Sequence, residues 1–434
     1  MAPIFKFTSR YSFLFVLLFL FAFPSVRLLL AADAWPEYRG PTFDGNSTAR
    51  GLPLRWSEQK NIRWKTTIHG RAWSSPVVLD KQVWLTTATA DGKSLLVVCV
   101  DQESGQTLLD REVFQVETPR PLSNRVNSYA TPSPVIESGR VYVHFGSYGT
   151  ACLDTHTFEV LWQRRDLPCD HWRGPASSPL LFEDMIVLHM DGANVQYVVA
   201  LDKMTGVNRW VSFRSAPYGD LEDDGRPRSF GDYRKAYNTA FAIEFDGKPQ
   251  LISPSAKAAY AYDPETGREL WRIRHDRHST APRTLYSNGI AYINIGLTNP
   301  ELWAVRVDGR GDVTSSHVKW KCRKTIPSRS SPVLVDGNIY MISEKGIASC
   351  VDIQTGDQVW QARVGGTHSA SMVHAHGRIH FFSEEGETTI IKPGMSFEVL
   401  ARNQLDDGFM ASPAIVGKAF YLRTRKHLYR VEER

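Results

Sequence analysis

Hydrophobic and polar positions along this chain repeat as one short phrase. Small residues, usually followed by proline, open a brief apolar run. A polar turn follows, and a second apolar run comes after it. The phrase reads SSPVVLDKQVWL from Ser74, TPSPVIESGRVYV from Thr131 and SSPLLFEDMIVL from Ser177. A degenerate copy, TAFAIEFDGKPQLI, starts at Thr239. The remaining copies are TAPRTLYSNGIAYI from Thr280, SSPVLVDGNIYMI from Ser330, SASMVHAHGRIHFF from Ser369 and ASPAIVGKAFYL from Ala411. The eight copies span 337 residues from Pro76 to Pro413. The mean period of about 48 residues, with short strands, is that of propeller blades.

A second phrase follows each first one: CVDQESG from Cys99, CLDTHTF from Cys152, ALDKMTG from Ala200, AYDPETG from Ala261 and CVDIQTG from Cys350. AVRVDGRG from Ala304 and IIKPGMS from Ile390 are looser versions. This pattern predicts a strand running into a tight turn. The Asp accepts turn N–H groups, and the Gly takes a positive φ. In most copies Trp comes four residues later, as Trp162, Trp210, Trp271 and Trp360; Trp320 follows a longer insertion. Each unit therefore reads as a blade of four antiparallel strands with Trp on the outer one. Cys99, Cys152 and Cys350 align with Ala200, Ala261 and Ala304, which marks a small, buried strand position.

The fold class predicted is all-β, an eight-bladed propeller. The eighth copy ends at RVEER with no Trp strand after it, whereas NIRWKTTI around Trp64 stands alone near the start. That orphan strand is expected to complete the eighth blade and close the ring, which removes the open sheet edges.

Composition adds less. The chain has 434 residues, 12 of them Trp, 24 Pro and 31 Gly, which sits badly with a helical bundle. Lys6 and Arg10, an apolar run from Tyr11 to Phe23, and Ala32-Asp33-Ala34 describe a secretory leader over residues 1–34. The apolar run is too short to span a membrane, so no anchor is expected after cleavage. Residues 35–434 then form one propeller domain, expected to be periplasmic or secreted and monomeric. With Lys6, Arg10, Arg27 and Asp33 in the leader, the net charge falls from +5 to +3. That is too little for a nucleic-acid partner. Whether Cys169 and Cys322 pair is left open.

Links between blades gather at one mouth of a propeller's channel. Residues just before the small-small-Pro phrase should ring it: Trp73, Tyr129, Trp172 with Arg173, Tyr237, His278, Arg329, His368, and Phe409 with Met410. Trp73, Tyr129, Arg173, Tyr237, His278, Arg329 and His368 are the candidate ligand contacts, suited to an anionic or planar group. The long insertions 118–129 and 213–238 enlarge this mouth. GDLEDDG at residues 219–225 lacks the register of a calcium loop and reads as a solvated acidic loop. DGRGD at Asp308–Asp312 reads as a hairpin turn. His374, His376 and His380 resemble a metal cluster on an exposed hairpin but show no fourth ligand. Neither a metal site nor a catalytic constellation is predicted, because nucleophile-elbow, P-loop and dinucleotide motifs are missing.

ALDKMTGVNRW at Ala200–Trp210, AYDPETGRELW at Ala261–Trp271 and CVDIQTGDQVW at Cys350–Trp360 resemble pyrroloquinoline-quinone (PQQ)-type propeller repeats. The opening WPEYRGPTFDGNSTARGLPLRW, with HFGSYGTACLD and NTAFAIEFDGKPQLIS, is similar to secreted PQQ-like propeller proteins of planctomycete bacteria. The resemblance implies two competing functions. One is that of the quinoprotein alcohol and sugar dehydrogenases, with PQQ and a calcium ion in the funnel beside a vicinal disulfide and an Asp base. This chain has no adjacent Cys pair. The other is that of BamB-like outer-membrane assembly propellers, scaffolds without cofactor; the BamB lipobox Cys is missing here. A non-catalytic reading follows, with an envelope protein or extracellular ligand at the funnel face. No cofactor is predicted, a degenerate quinoprotein is the alternative, and a carbohydrate-binding propeller is a further one.

Overall fold

The computed structural model describes residues 34–122 and 126–433. The leader expected over residues 1–34 lies outside them apart from Ala34. Eight sheets follow one another around a ring. Blade 1 comprises Val77–Leu79, Gln82–Ala88, Ser94–Asp101 and Thr107–Gln115, from channel to rim. Blade 2 begins at Val135–Glu137, blade 3 at Leu180–Phe182, blade 4 at Phe241–Phe245 and blade 5 at Leu285–Ser287. Blades 6 and 7 begin at Val333–Val335 and Val373–Ala375. Blade 8 takes Ala414–Val416, Ala419–Arg423 and His427–Val431 from the C-terminus and Ile62–Thr67 from the N-terminus. The last two pair antiparallel, with Trp64 opposite Arg430. The ring therefore closes on the strand around Trp64, as the sequence predicts.

The paired phrases are the joints between blades. Trp162 Nε1 donates to Lys203 O (2.9 Å) and Trp210 Nε1 to Pro264 O (2.8 Å) in the next blade. Trp320, Trp360 and Trp64 do the same to Ile353 O, Gly394 O and Gln102 O. The turn glycine lies flat on the indole. A Cβ on Gly267 would come within 2.5 Å of Trp210, and φ there is +70°. Glycine is thus required both by the backbone and by the close approach. Asp202 and Asp352 hold their turns through Oδ1, each accepting two backbone N–H groups. Opposite the indoles of blades 2 to 6 stands the small strand residue: Cys152 faces Trp162, Ala200 Trp210, Ala261 Trp271, Ala304 Trp320 and Cys350 Trp360. All five cysteines are free thiols in the interior, Cys169 and Cys322 included. Burial pushes the Cys350 thiol up to about 11.

Three joints depart from the pattern: blade 7 carries Ala401 in place of the Trp, and the other two show why the pattern holds. Trp271 Nε1 reaches Gln250 Oε1 (2.9 Å), and Gln250 Nε2 relays the bond to Val307 O. Trp84 uses Gln82 in the same way to reach Thr155 O. On the outer strand of blade 1, Leu109 faces Cys99 where blades 2 to 6 carry Trp. The next turn correspondingly carries Phe158 at φ +64° where others carry Gly. Its ring packs on Trp84 at 5.8 Å and fills the space that an indole would take.

A segment with no counterpart in the repeats crosses the channel. Trp35 bridges Val78 of blade 1, and Pro36 O accepts from Ile136 N of blade 2. Glu37 pairs with Arg283 Nη1 (2.7 Å), and Arg39 donates to Pro332 O and Met372 O of blades 6 and 7. Asn46–Ser47 then runs parallel to the innermost strand of blade 7. DGRGD is not a plain hairpin turn: Gly311–Asp312 pairs parallel with the outer strand of blade 4 as a fifth strand. Asp220 of the acidic loop is likewise not solvated, because it is buried against Arg234 (2.7 Å).

Two outcomes test these joints. Trp210→Ala should cost about 3–5 kcal/mol, the range for large aromatic truncations in a core. An unshifted denaturant midpoint would contradict the joint. A chain lacking residues 35–67 loses both the crossing segment and the closing strand. It should associate through its open edge in light scattering and melt well below the intact chain.

Candidate functional site

At the hub, a small residue at the start of the repeat phrase faces the channel and, in every blade but the fifth, links one blade to the next. Ser75 N donates to Ser133 Oγ (2.8 Å), Ser133 N to Ser178 Oγ (3.0 Å) and Ser178 N to Thr239 Oγ1 (3.0 Å). Blade 5 carries Ala281 at this position, and Arg283 N supplies the donor to Ser331 Oγ (3.0 Å). Ser331 N, Ser371 N and Ser412 N continue to Ser371 Oγ, Ser412 Oγ and Ser75 Oγ. The hydroxyls so form a nearly closed circle, broken only at Ala281.

Above this circle lies a cavity of about 300 Å³, to which all eight blades contribute. Tyr38 of the crossing segment also lines it, and its hydroxyl meets Ser371 Oγ (2.9 Å) and Ser331 Oγ (3.1 Å). Of the residues expected at the mouth, Trp73, Arg173, Tyr237 and Arg329 line the cavity, as does Met410. Tyr129 is instead buried, edge-on to Tyr148, with its hydroxyl on Arg120 O. His368 is buried too, and both ring nitrogens lie on carbonyls, those of Phe382 and Gly365. Phe409 packs against Phe382. His278 borders a second, smaller hollow of about 200 Å³ and meets Tyr233 edge-on at 4.9 Å.

The two arginines are held from behind. Arg173 donates through Nε and Nη2 to Asp232 and stacks on Trp172 at 4.4 Å. Lys235 shares the same carboxylate (2.5 Å). Burial draws its pKa down to about 8. Arg329 Nη1 donates to Ser369 Oγ (2.8 Å), with Glu384 at 3.6 Å. Glu344 accepts Ser328 N and Arg329 N, which fixes that loop.

No Asp or Glu lines the cavity. A calcium ion takes six to eight oxygen ligands, typically carboxylates among them. No group of three His, Cys, Asp or Glu placed for a metal occurs among the described residues. The residues present therefore do not fit the calcium–quinone pair that the dehydrogenase resemblance implies. The hairpin of His374, His376 and His380 is not exposed in the way expected from the sequence. His380 is fully buried, edge-on to Phe420 at 5.0 Å, and His374 Nδ1 bonds Asn46 Oδ1 (2.9 Å).

The hydroxyl circle and Tyr38 were missed from sequence. Their signal was present for the circle, in the small residue that precedes each strand. Tyr38 carried none.

Known proteins share this architecture. Over residues 254–393 the sequence matches the family described as outer membrane protein assembly factor BamB. No protein with a curated description matches the chain. BamB from Moraxella catarrhalis is similar in structure at 11% identity, with a TM-score of 0.54 over 82% of this chain and 99% of that one. A europium-containing methanol dehydrogenase is similar at 12% identity and TM-score 0.62, covering 91% and 90% of the two chains. The quinohemoprotein alcohol dehydrogenase from Comamonas testosteroni is similar at 12% identity and TM-score 0.63, over 94% and 82%. The chain is an eight-bladed propeller with PQQ-like repeats.

The buried histidines set an acid limit. Burial lowers the His380 pKa to about 3, against an ordinary value of 6.5. The folded state thus binds this proton less readily than the unfolded chain. Its share of stability is complete above pH 6.5 and falls by up to about 1.4 kcal/mol per pH unit as acid is added toward pH 3. His380→Leu should flatten this slope, gaining on the wild type at pH 5 relative to pH 8. Equal slopes in pH-dependent urea melts would refute it.

Proposed function

We propose that the protein is an extracytoplasmic binding propeller, exported by the leader at residues 1–34 and folded as one domain over residues 35–434. It works as a monomer in the cell envelope, with its ligand or protein partner at the funnel mouth around Trp73, Arg173, Tyr237 and Arg329. The observation that carries this reading is the carboxylate-free cavity lining. A dehydrogenase of the quinoprotein type needs a proton acceptor and hard oxygen ligands for its ion. This funnel offers hydroxyls, aromatic walls and two arginines instead. The BamB-like match over residues 254–393 supports a binding role, and no helix among the described residues is long and apolar enough to cross a membrane.

Pyrroloquinoline quinone with calcium, titrated into the purified protein, tests the choice. Intrinsic Trp fluorescence should show no saturable change, and dye-linked oxidation of alcohols and sugars should stay at background. Stoichiometric binding with turnover would establish the quinoprotein alternative in its place. Cross-linking in the native envelope should capture a partner, and Trp73→Ala or Arg329→Ala should abolish that capture.

A further inference from the structure

We infer that the funnel recognises an acidic sugar, a compact polyhydroxylated ring bearing one carboxylate, which is the chemistry of a hexuronate. The inference rests on the binding reading above only in taking the funnel as the place of binding.

Three independent features select this class. The first is an arc of hydroxyl donors. Ser412, Ser75, Ser133, Ser178 and Thr239 lie on consecutive blades and line the cavity. Each oxygen accepts a main-chain N–H from its neighbour. None has an acceptor for its own proton among the described residues. Ser331 and Ser371, across the channel, differ because Tyr38 meets them. Five O–H groups in a row call for a ligand rich in oxygen acceptors, and each retains a lone pair with which to accept in return. Sugar hydroxyls donate and accept in the same way.

The second feature is a pair of stranded donors on the walls. The Tyr237 hydroxyl and the Trp73 indole N–H are shielded from solvent and have no partner among the described residues. Both residues line the cavity. A buried donor without a partner is costly, which makes these two the places where a ligand oxygen is worth most. Their flat rings also suit the apolar face of a sugar ring.

The third feature is charge. Arg173 and Lys235 share the single carboxylate of Asp232, which leaves one positive charge over. Arg329 and Arg425 face Glu384 and Glu344 and are balanced by them. Arg173 spends Nε and Nη2 on Asp232 and keeps Nη1 for one carboxylate. A neutral sugar would leave that charge unmatched, and a phosphate dianion would exceed it. A cavity of about 300 Å³ has room for one such ring.

Glucuronate and galacturonate, titrated calorimetrically into the full chain beside glucose and acetate, provide the test. At least one uronate should bind saturably, roughly tenfold or more tighter than glucose or acetate. Arg173→Gln should remove the preference over glucose. Because that change also frees Asp232, Tyr237→Phe is the cleaner variant. It deletes only the partnerless hydroxyl, so the thermal midpoint should not fall, while uronate affinity should drop by about 3- to 10-fold. Uronates binding no better than glucose and acetate, or an affinity untouched by Tyr237→Phe, would overturn the inference. Partner capture dependent on Trp73 would survive that result, so the two readings fail separately.

Discussion

The indole-on-glycine joint is the contact on which the rest of this molecule depends. A four-stranded blade cannot bury both faces alone, so its stability lies in the neighbour. Trp64, Trp162, Trp210 and Trp320 each cover the next blade's turn glycine and satisfy a turn carbonyl, as Trp210 does for Gly267 and Pro264 O. The contact fixes the spacing and the rotation between blades together. The joint between blades 1 and 2 shows that volume is the conserved quantity in this design. Leu109 replaces the indole and Phe158 replaces the glycine, so the ring stays filled. The two Gln relays show the same for hydrogen bonding, since Gln250 and Gln82 carry a Trp N–H on to a carbonyl.

Repetition at the rim imposes repetition at the hub. Once the blades are equally spaced, the residue that opens each innermost strand falls at a fixed distance from its neighbour. A serine there can accept the main-chain N–H of the previous blade, as Ser133 accepts Ser75 N. The same hydroxyl that closes the ring leaves its proton toward the channel. Structure and candidate site are therefore made of the same atoms, and no catalytic loop had to be grafted on. The crossing segment breaks the symmetry. Tyr38 engages the hydroxyls of blades 6 and 7, so the free donors are confined to the opposite arc.

The joints were legible in the sequence because both of their halves are local phrases. An Asp-x-x-Thr-Gly turn and a Trp four residues on announce themselves in any one copy. Closure was legible by subtraction, since the last copy lacked an outer strand and Trp64 had no blade. The crossing segment was not. Residues 35–47 carry no apolar alternation, and they are held by arginine-to-carbonyl bonds such as Arg39 to Pro332 O, which leave no periodic trace. At the mouth, the rule of looking just before the small residues found Trp73 and Arg329. It also selected Tyr129 and His368, which turn into the interior. The lining residues Trp73, Tyr237 and Arg329 lie two positions before the circle residue, whereas His368 lies three before Ser371 and Tyr129 sits in a turn four before Ser133. His368 then finds two carbonyls and becomes part of the scaffold.

The architecture alone does not separate a scaffold from an enzyme, since a shared fold hosts different sites. What distinguishes this chain is where the carboxylates around the cavity are spent. In this chain Asp232 is committed to Arg173 and Lys235, Glu344 to a loop backbone, and Glu384 to Ser369, Arg329 and Arg425. Each stands behind the cavity wall and orients a group that reaches it. An acid used in this way positions a donor. The same economy explains the partnerless Tyr237 hydroxyl. With these carboxylates spent on other donors, the Tyr237 hydroxyl is left without a partner among the described residues, and a ligand oxygen would satisfy it.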